Sequence, residues 1–422
     1  DVYRSEGGLG VRVLNRGAPI FADVAKARLE RLKAAGAAGP RVDGLEIENL
    51  GRAGQALTLE VKVGVATGEV IKAGAGTPRE EIAARDVSVR ILKPDEAQAL
   101  TRLFHAVYGY DYIGDFVYYP ERIQAMLQDG TLVSTVAEAP GGRIIGHVGL
   151  VRRSRDPEVY EPCMGVVDPA VKSSGTFKRL FEETMRRVGA TPMQYAFSDC
   201  VTNIDFSQRL VARYGGVDTA LFVGSQSKET QAKLSKLGLG RDPDDMDRYS
   251  ILYSVIPRVA KPFGREVVLP GNLGELLGFL LPSLGLEWTP APRFNPLPTG
   301  GSYSSRTEPA QRSVYFELSE PGGHAATRIV EDWGRALKTG YQYAAVDVPL
   351  DRPGLGQVHD LLAEQGFFVS GFLPWRNSTR LCVRFQATGP TRVAWDKIKV
   401  FSENGRRLLE VIQADSKRNG LL

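Results

Sequence analysis

Val166-Val167-Asp168-Pro169, followed closely by Lys172-Ser173-Ser174-Gly175-Thr176-Phe177, is the stretch of this chain that decides its fold. An apolar strand closes at Asp168-Pro169, a short turn follows, and an amphipathic helix opens at Thr176. A strand that runs into a helix N-terminus leaves several backbone N–H groups unpaired. Their dipoles add to that of the helix and make an anion site. Gly175 permits a close approach of backbone to phosphate. Ser173, Ser174 and Thr176 supply hydroxyl donors and Lys172 supplies charge. The same residues also suit an ordinary strand-to-helix loop, so the surroundings of the turn choose between the two readings.

Those surroundings are regular. Residues 86–92 read as a strand, 94–108 as a helix with Asp95 and Glu96 in its first turn, and 122–129 as a second helix. Leu132 to Ala139 and Ile144 to Arg152 form a hairpin around Pro140-Gly141-Gly142-Arg143. A strand over 160–167 leads to the turn. A helix over 176–188, a strand over 193–200, a helix over 204–214 and a strand over 216–223 follow.

In that order and spacing, residues 86–225 resemble the GNAT superfamily of acyl-CoA N-acyltransferases. The family's fourth strand ends in Val-x-Pro-like residues, and Arg/Gln-x-x-Gly-x-Gly/Ala then opens a helix. Here Val167-Asp168-Pro169 and Lys172 to Phe177 occupy those places, with Phe177 where Gly or Ala is usual. Downstream, Asn203, Ser207, Leu210, Val211, Gly215 and Gly216 fall on the family's Asn-x-x-x-Ser/Ala-x-x-Leu-Tyr-x-x-x-Gly-Phe pattern. The resemblance implies that the backbone of Lys172, Ser173, Ser174, Gly175, Thr176 and Phe177 holds the pyrophosphate of acetyl-CoA or another acyl-CoA. It implies that Met164, Val166 and Val167 line the pantetheine arm, and that Asn203 and Ser207 flank its distal part. An N-cap role for Asn203 is the alternative.

Acyl transfer to an amine needs a base for the ammonium and an acid for the leaving thiolate. The family's usual acid is a tyrosine on the helix after strand five. The matching position here is Val211, with Tyr214 three residues on. Glu161 and Asp199, near the start of the fourth strand and the end of the fifth, are the candidate bases, and solvated strand-edge carboxylates are the alternative. Cys163 and Cys200 read as buried small residues.

The flanks read differently. Residues 1–65 hold a strand at Val11 to Leu14, an amphipathic helix from Pro19 to Ala38, and two alternating runs, Gly44 to Leu50 and Ala56 to Val63. A Gly-rich linker covers 66–85. Val13-Leu14-Asn15-Arg16-Gly17-Ala18-Pro19 and Val42 to Gly54 resemble a histidine-kinase-like ATPase domain of the anti-sigma-factor kind. Asn15 stands where that family has its adenine-reading Asp, and no Glu-x-x-x-Asn box is present. A partial, degenerate ATPase-like fold that contacts a protein partner is expected here, without ATP as ligand. Residues 245–422 repeat the β-α-β-α-β order and carry Gln365-Gly366-Phe367-Phe368 but no phosphate turn in the matching place. A second, non-catalytic GNAT-like half is expected. Phe367, Phe368, Phe372 and Trp375 read as core.

The expected fold class is therefore mixed α/β: largely antiparallel sheets with flanking helices, in tandem GNAT-like domains plus a small N-terminal α/β segment. With 53 basic and 49 acidic residues the net charge is +4, and no basic run exceeds three residues, which argues against nucleic acid as partner. The three cysteines and four histidines have no metal or redox spacing. The longest apolar stretch, Leu276 to Leu284, is broken by Pro282 and is too short for a membrane span. No signal peptide is seen. A cytoplasmic N-acyltransferase acting on an amine of a small molecule or protein is the leading expectation. A catalytically weak regulatory protein that senses CoA or a nucleotide and contacts a partner is the alternative.

Overall fold

The computed structural model describes residues 2–5, 8–15, 41–49, 57–66, 80–108, 112, 114–155, 158–168, 171–172, 175–188, 195–228, 248–257, 266–267, 271–286, 289–290, 296–350, 352, 354–374, 381–391 and 393–418. The chain forms two compact units, residues 1–78 and 79–422.

In the first unit, β1 (Val2–Ser5), β2 (Gly8–Asn15), β3 (Arg41–Asn49) and β4 (Leu57–Ala66) make an antiparallel sheet in the order β1-β2-β4-β3. The hairpin expected from the alternating runs is the β3–β4 pair, with Glu46 opposite Lys62. Strand β4 continues through Gly64 to Ala66, where the linker was expected to begin. The helix expected over 19–38 lies outside the described residues.

The second unit opens with β5 (Glu80–Glu81), β6 (Ser88–Ile91), α1 (Ala97–Tyr108) and α2 (Pro120–Gln128). Strands β7 (Leu132–Glu138), β8 (Ile144–Arg155), β9 (Glu158–Val167) and β10 (Val171–Lys172) lead to α3 (Thr176–Val188). Next come β11 (Tyr195–Val201), α4 (Phe206–Ala212), β12 (Val217–Ser227) and β13 (Arg248–Pro257). After β14 (Glu266–Val267), α5 (Gly271–Ser283) and β15 (Thr289–Pro290), the chain forms β16 (Ser302–Glu308), β17 (Ser313–Glu320) and α6 (Gly323–Lys338). It ends with β18 (Tyr343–Pro349), α7 (Leu355–Ala363), β19 (Phe368–Pro374), β20 (Leu381–Thr388) and α8 (Glu403–Arg418).

Twelve of these strands share one sheet, ordered β16-β17-β18-β20-β19-β12-β13-β11-β9-β8-β7-β6. Only β9·β11 and β17·β18 pair in parallel, so the sheet is largely antiparallel, as expected. Strands β18 and β19 are buried at every position. Phe367, Phe368 and Phe372 are core residues; Trp375 lies outside the described residues. Strand β16 at the margin is mostly exposed.

The sheet has an internal two-fold character. In the run β9-α3-β11-α4-β12-β13 the last strand inserts between β11 and β12. In the run β17-α6-β18-α7-β19-β20 the last strand inserts between β18 and β19 in the same way. Strand β13, which falls within the stretch 245–422 expected to form a separate half, thus sits inside the sheet of residues 86–225. The two copies abut through β12 and β19, where Ala220 faces Gly371. A Cβ on Gly371 would lie 2.3 Å from the Thr219 carbonyl oxygen, so only glycine allows this approach.

Side chains complete the joint where the main-chain ladder is short. Gln386 accepts from the Val223 N–H at 2.9 Å and donates to the Leu221 carbonyl at 3.0 Å. Arg248, 1% exposed, donates to the carbonyls of Gly224, Ser225 and Gln311 and to the Ser313 hydroxyl. Helix α8 packs across β12 and β19, and its buried Asp415 accepts from the Val369 N–H at 2.7 Å.

Candidate active site

The site begins where two parallel strands part. Strand β9 pairs with β11 at Val159–Tyr195 and Tyr160–Ala196, and among the described residues no further pair joins them. In the other copy β17 and β18 pair through five positions, Ser313–Tyr343 to Glu317–Asp347. The physical cause of the parting lies on β9. Between the pairs Gly149–Cys163 and His147–Val166, β9 carries one residue more than β8, a β-bulge. Met164 in this bulge has φ +59°, a left-handed conformation that costs a non-glycine residue roughly 1–2 kcal/mol. Bulges bend the strand that carries them, and the bend frees the peptide groups of Met164 to Val167 from β11.

The turn after β9 meets the bulge at α3. Lys172 belongs to the short strand β10, which pairs in parallel with β5. Ser173 and Ser174 lie outside the described residues. Gly175 has φ +82°, and among the described residues nothing lies within 4 Å of the place a Cβ would take. The first turn of α3 contains no acidic residue, which leaves the positive end of its dipole unopposed. Thr176 is buried, as are Leu180, Phe181, Met185 and Val188 on the same face. Burial of these apolar side chains stabilises the seat of α3 by up to ~1.5–3 kcal/mol each. Phe177 packs on Gly165 of β9; a Cβ there would be 2.7 Å from its ring. Helix start and bulge are thereby held together.

Helix α4 borders the other side. Phe206, 57% exposed, places its ring 6.1 Å from that of Phe177. Asn203 is half-buried, and its Oδ1 is buried with no hydrogen-bond partner. The N-cap position of α4 is Asp205, so the capping alternative for Asn203 does not hold. Burial pushes the Cys200 thiol up to about 12, and Ser207 and Ser198 lower it.

The structure brings two of the three proposed catalytic residues together. Counting on from the last β9–β11 pair, Asp199 falls opposite Cys163. The Cys163 thiol is pushed well up by burial, then by Glu161; Arg153 lowers it and Asp199 raises it. Glu161, 15% exposed, receives Arg153 at 2.5 Å and 2.7 Å. Asp199 is exposed. Tyr214 is elsewhere. Its ring is 5.7 Å from Phe181 of α3, and its hydroxyl is raised by burial and then by Glu182 of the same helix. Val211, where the resemblance leads one to look for a tyrosine, is buried against Gly216.

Sequence reasoning missed the wall above Cys163. Tyr112 is pushed well up by burial, then by Cys163, Tyr108, Glu161 and Tyr118. Tyr108 is pushed up to about 12 by burial. Their rings lie 4.9 Å apart, and Phe104 is 4.8 Å from Tyr112. The Tyr118 hydroxyl accepts from the Tyr112 N–H at 2.8 Å. The signal was present as the aromatic run from Tyr108 to Tyr119. Among the described residues no group of three or more His, Cys, Asp and Glu could hold a metal ion. No helix among them is long and apolar enough to cross a membrane.

No family model and no curated protein sequence matches the chain. Solved structures do. A manganese complex of the spermidine/spermine N-acetyltransferase SpeG from Vibrio cholerae is 13% identical over 41% of this chain and 94% of its own, with a TM-score of 0.31. The ribosomal-protein-S5-alanine acetyltransferase from Vibrio fischeri is 14% identical over 42% of this chain and 96% of its own, with a TM-score of 0.32. A GNAT-family acetyltransferase from Streptococcus pneumoniae is 13% identical over 41% and 99%, also at 0.32. These three solved structures are acetyltransferases, alike at low identity and over part of the chain.

Proposed function

We propose that the cleft between β9 and β11 binds acyl-CoA and transfers its acyl group to an amine of a small molecule or protein. The observation that carries this reading is the parting of β9 from β11 at the Met164 bulge, directly beside the N-terminus of α3. A parallel pair that parts leaves backbone donors and acceptors free to hold an extended amide chain such as pantetheine. The α3 N-terminus suits its pyrophosphate, and the unpartnered Oδ1 of Asn203 suits an amide N–H of the arm. In this reading Asp199 or Glu161 takes the proton from the incoming ammonium, the amine attacks the thioester carbon, and the tetrahedral adduct breaks its C–S bond; the CoA thiolate leaves and takes up the proton that the amide nitrogen loses, directly or through solvent. Calorimetry with acetyl-CoA tests it: wild type binds at or below millimolar concentration, and no binding there overturns the reading.

The same reasoning assigns the second copy a supporting role. Its β17 and β18 stay paired, and Asp347, at the register position of Asp199, is neutralised by Arg384.

A regulatory reading is favoured by one observation, the buried Val211 with Tyr214 turned to Phe181. Here the cleft senses CoA without turnover, and the N-terminal unit contacts a protein. Incubation with acetyl-CoA and a panel of amines, with free CoA read by a thiol reagent, separates the two: amine-dependent release of CoA favours transfer, and binding without release favours sensing.

A further inference from the structure

His147 of β8 is fully buried, and its Nδ1 lies 2.9 Å from the Met164 carbonyl oxygen. A carbonyl only accepts, so Nδ1 is the donor and carries the proton. Burial holds the ring neutral, with its pKa down at about 4, and Nε2 is therefore a bare acceptor. That Nε2 is buried and has no hydrogen-bond partner, an arrangement that costs roughly 1–3 kcal/mol. The ring is fixed by the edge of Phe104, with centroids 5.7 Å apart. Gly149 leaves it room: a Cβ there would stand 3.2 Å from the His147 ring and 3.3 Å from the Met164 sulfur. A fully buried histidine thus bonds the one β9 residue in a left-handed conformation, at an energetic cost that packing alone does not explain.

We propose that His147 is a positioning residue that sets the direction of the Met164–Gly165 peptide, and so aims the Gly165 N–H at the thioester carbonyl of bound acyl-CoA. The peptide is planar and trans, so its C=O and N–H point opposite ways. With the Met164 oxygen held on His147, the Gly165 N–H is turned away from His147. Without that bond the strained Met164 is free to relax, and the donor loses its aim. This inference rests on the acyl-CoA reading above.

Acetyl-CoA labelled with ¹³C at the carbonyl tests it, alongside unlabelled CoA, by NMR and calorimetry on the full chain. His147→Phe keeps the ring and removes the donor; His147→Asn places an amide nitrogen near the position of Nδ1. In wild type the bound carbonyl resonance is expected to move downfield from that of free acetyl-CoA. His147→Phe should lose this shift and weaken acetyl-CoA about tenfold, the loss of one hydrogen bond, with CoA affinity within about twofold of wild type. His147→Asn should recover the shift. The inference is overturned if His147→Phe keeps the shift, or if it weakens CoA and acetyl-CoA equally, which is the mark of a structural role. Wild type binding neither ligand would overturn the acyl-CoA reading itself.

Discussion

Asp199 and Asp347 occupy the same register position in the two copies, on β11 and β18, yet their replacement by Asn should have opposite effects. Each stands four residues after a tyrosine that pairs with the neighbouring parallel strand: Tyr195 with Val159, and Tyr343 with Ser313. Asp347 is 5% exposed and Arg384 2%, and they meet through two bonds of 2.6 Å and 2.7 Å. Removing one partner of a buried pair strands the other charge and costs roughly 3–5 kcal/mol. Asp347→Asn, Asp347→Leu and Arg384→Met should each lose that much. The Asp347→Leu/Arg384→Met double variant should come within about 1 kcal/mol of wild type, because apolar replacement of both removes the desolvation cost as well. Urea unfolding of wild type, Asp347→Leu, Arg384→Met and the double variant gives the coupling energy as a double-mutant cycle. Asp199 is exposed, so Asp199→Asn should change stability by less than about 0.5 kcal/mol. It should slow acyl transfer by about 10²–10⁴ if it is the base. A loss under 1 kcal/mol for Arg384→Met would refute the account of a closed second copy. A similar loss of stability from Asp199→Asn and Asp347→Asn would refute the contrast between the two.

Other outcomes follow from single sites. His147 has a folded-state pKa of about 4, below the ordinary ~6.5 of the unfolded chain. The unfolded chain therefore takes up the proton first as pH falls, so its contribution to stability is intact above about 6.5 and lost towards about 4. Roughly 3 kcal/mol should disappear over that window, and urea midpoints for His147→Asn should lack that component. Gly175→Glu should weaken CoA binding at least about tenfold, through charge and bulk at the phosphate turn. Gly175→Ala, with nothing among the described residues within 4 Å of its Cβ, should cost only the left-handed strain of about 1–2 kcal/mol; equal loss of CoA affinity in both would argue against a phosphate at this turn. Gly371→Ala, its Cβ 2.3 Å from a carbonyl oxygen and its φ at +137°, should cost more than about 3 kcal/mol, and a melting temperature near wild type would show that the joint gives way easily.

The sequence by itself determined the elements. Periodicity placed the helix Thr176–Val188 and the hairpin of β7 and β8, because each buries one face and its apolar spacing records that face. The strand-turn-helix at Gly175 was legible too, since glycine and hydroxyl residues at a helix start are local chemistry. Three things were not legible. The place of β13 between β11 and β12 depends on pairings across the sheet, and all three strands read alike as apolar runs. The bulge at Met164 came from a one-residue mismatch between two strands, which neither strand shows alone. The fate of each carboxylate was decided only by its neighbours: Tyr-Ala-x-x-Asp occurs at both 195–199 and 343–347. In one copy the parted strands leave the aspartate exposed, and in the other continuous pairing and Arg384 close over it. Local sequence fixes which face an element buries; what lies across the cleft is set by strands that pair from 36 residues away at Val159–Tyr195 and from 37 at Asp347–Arg384.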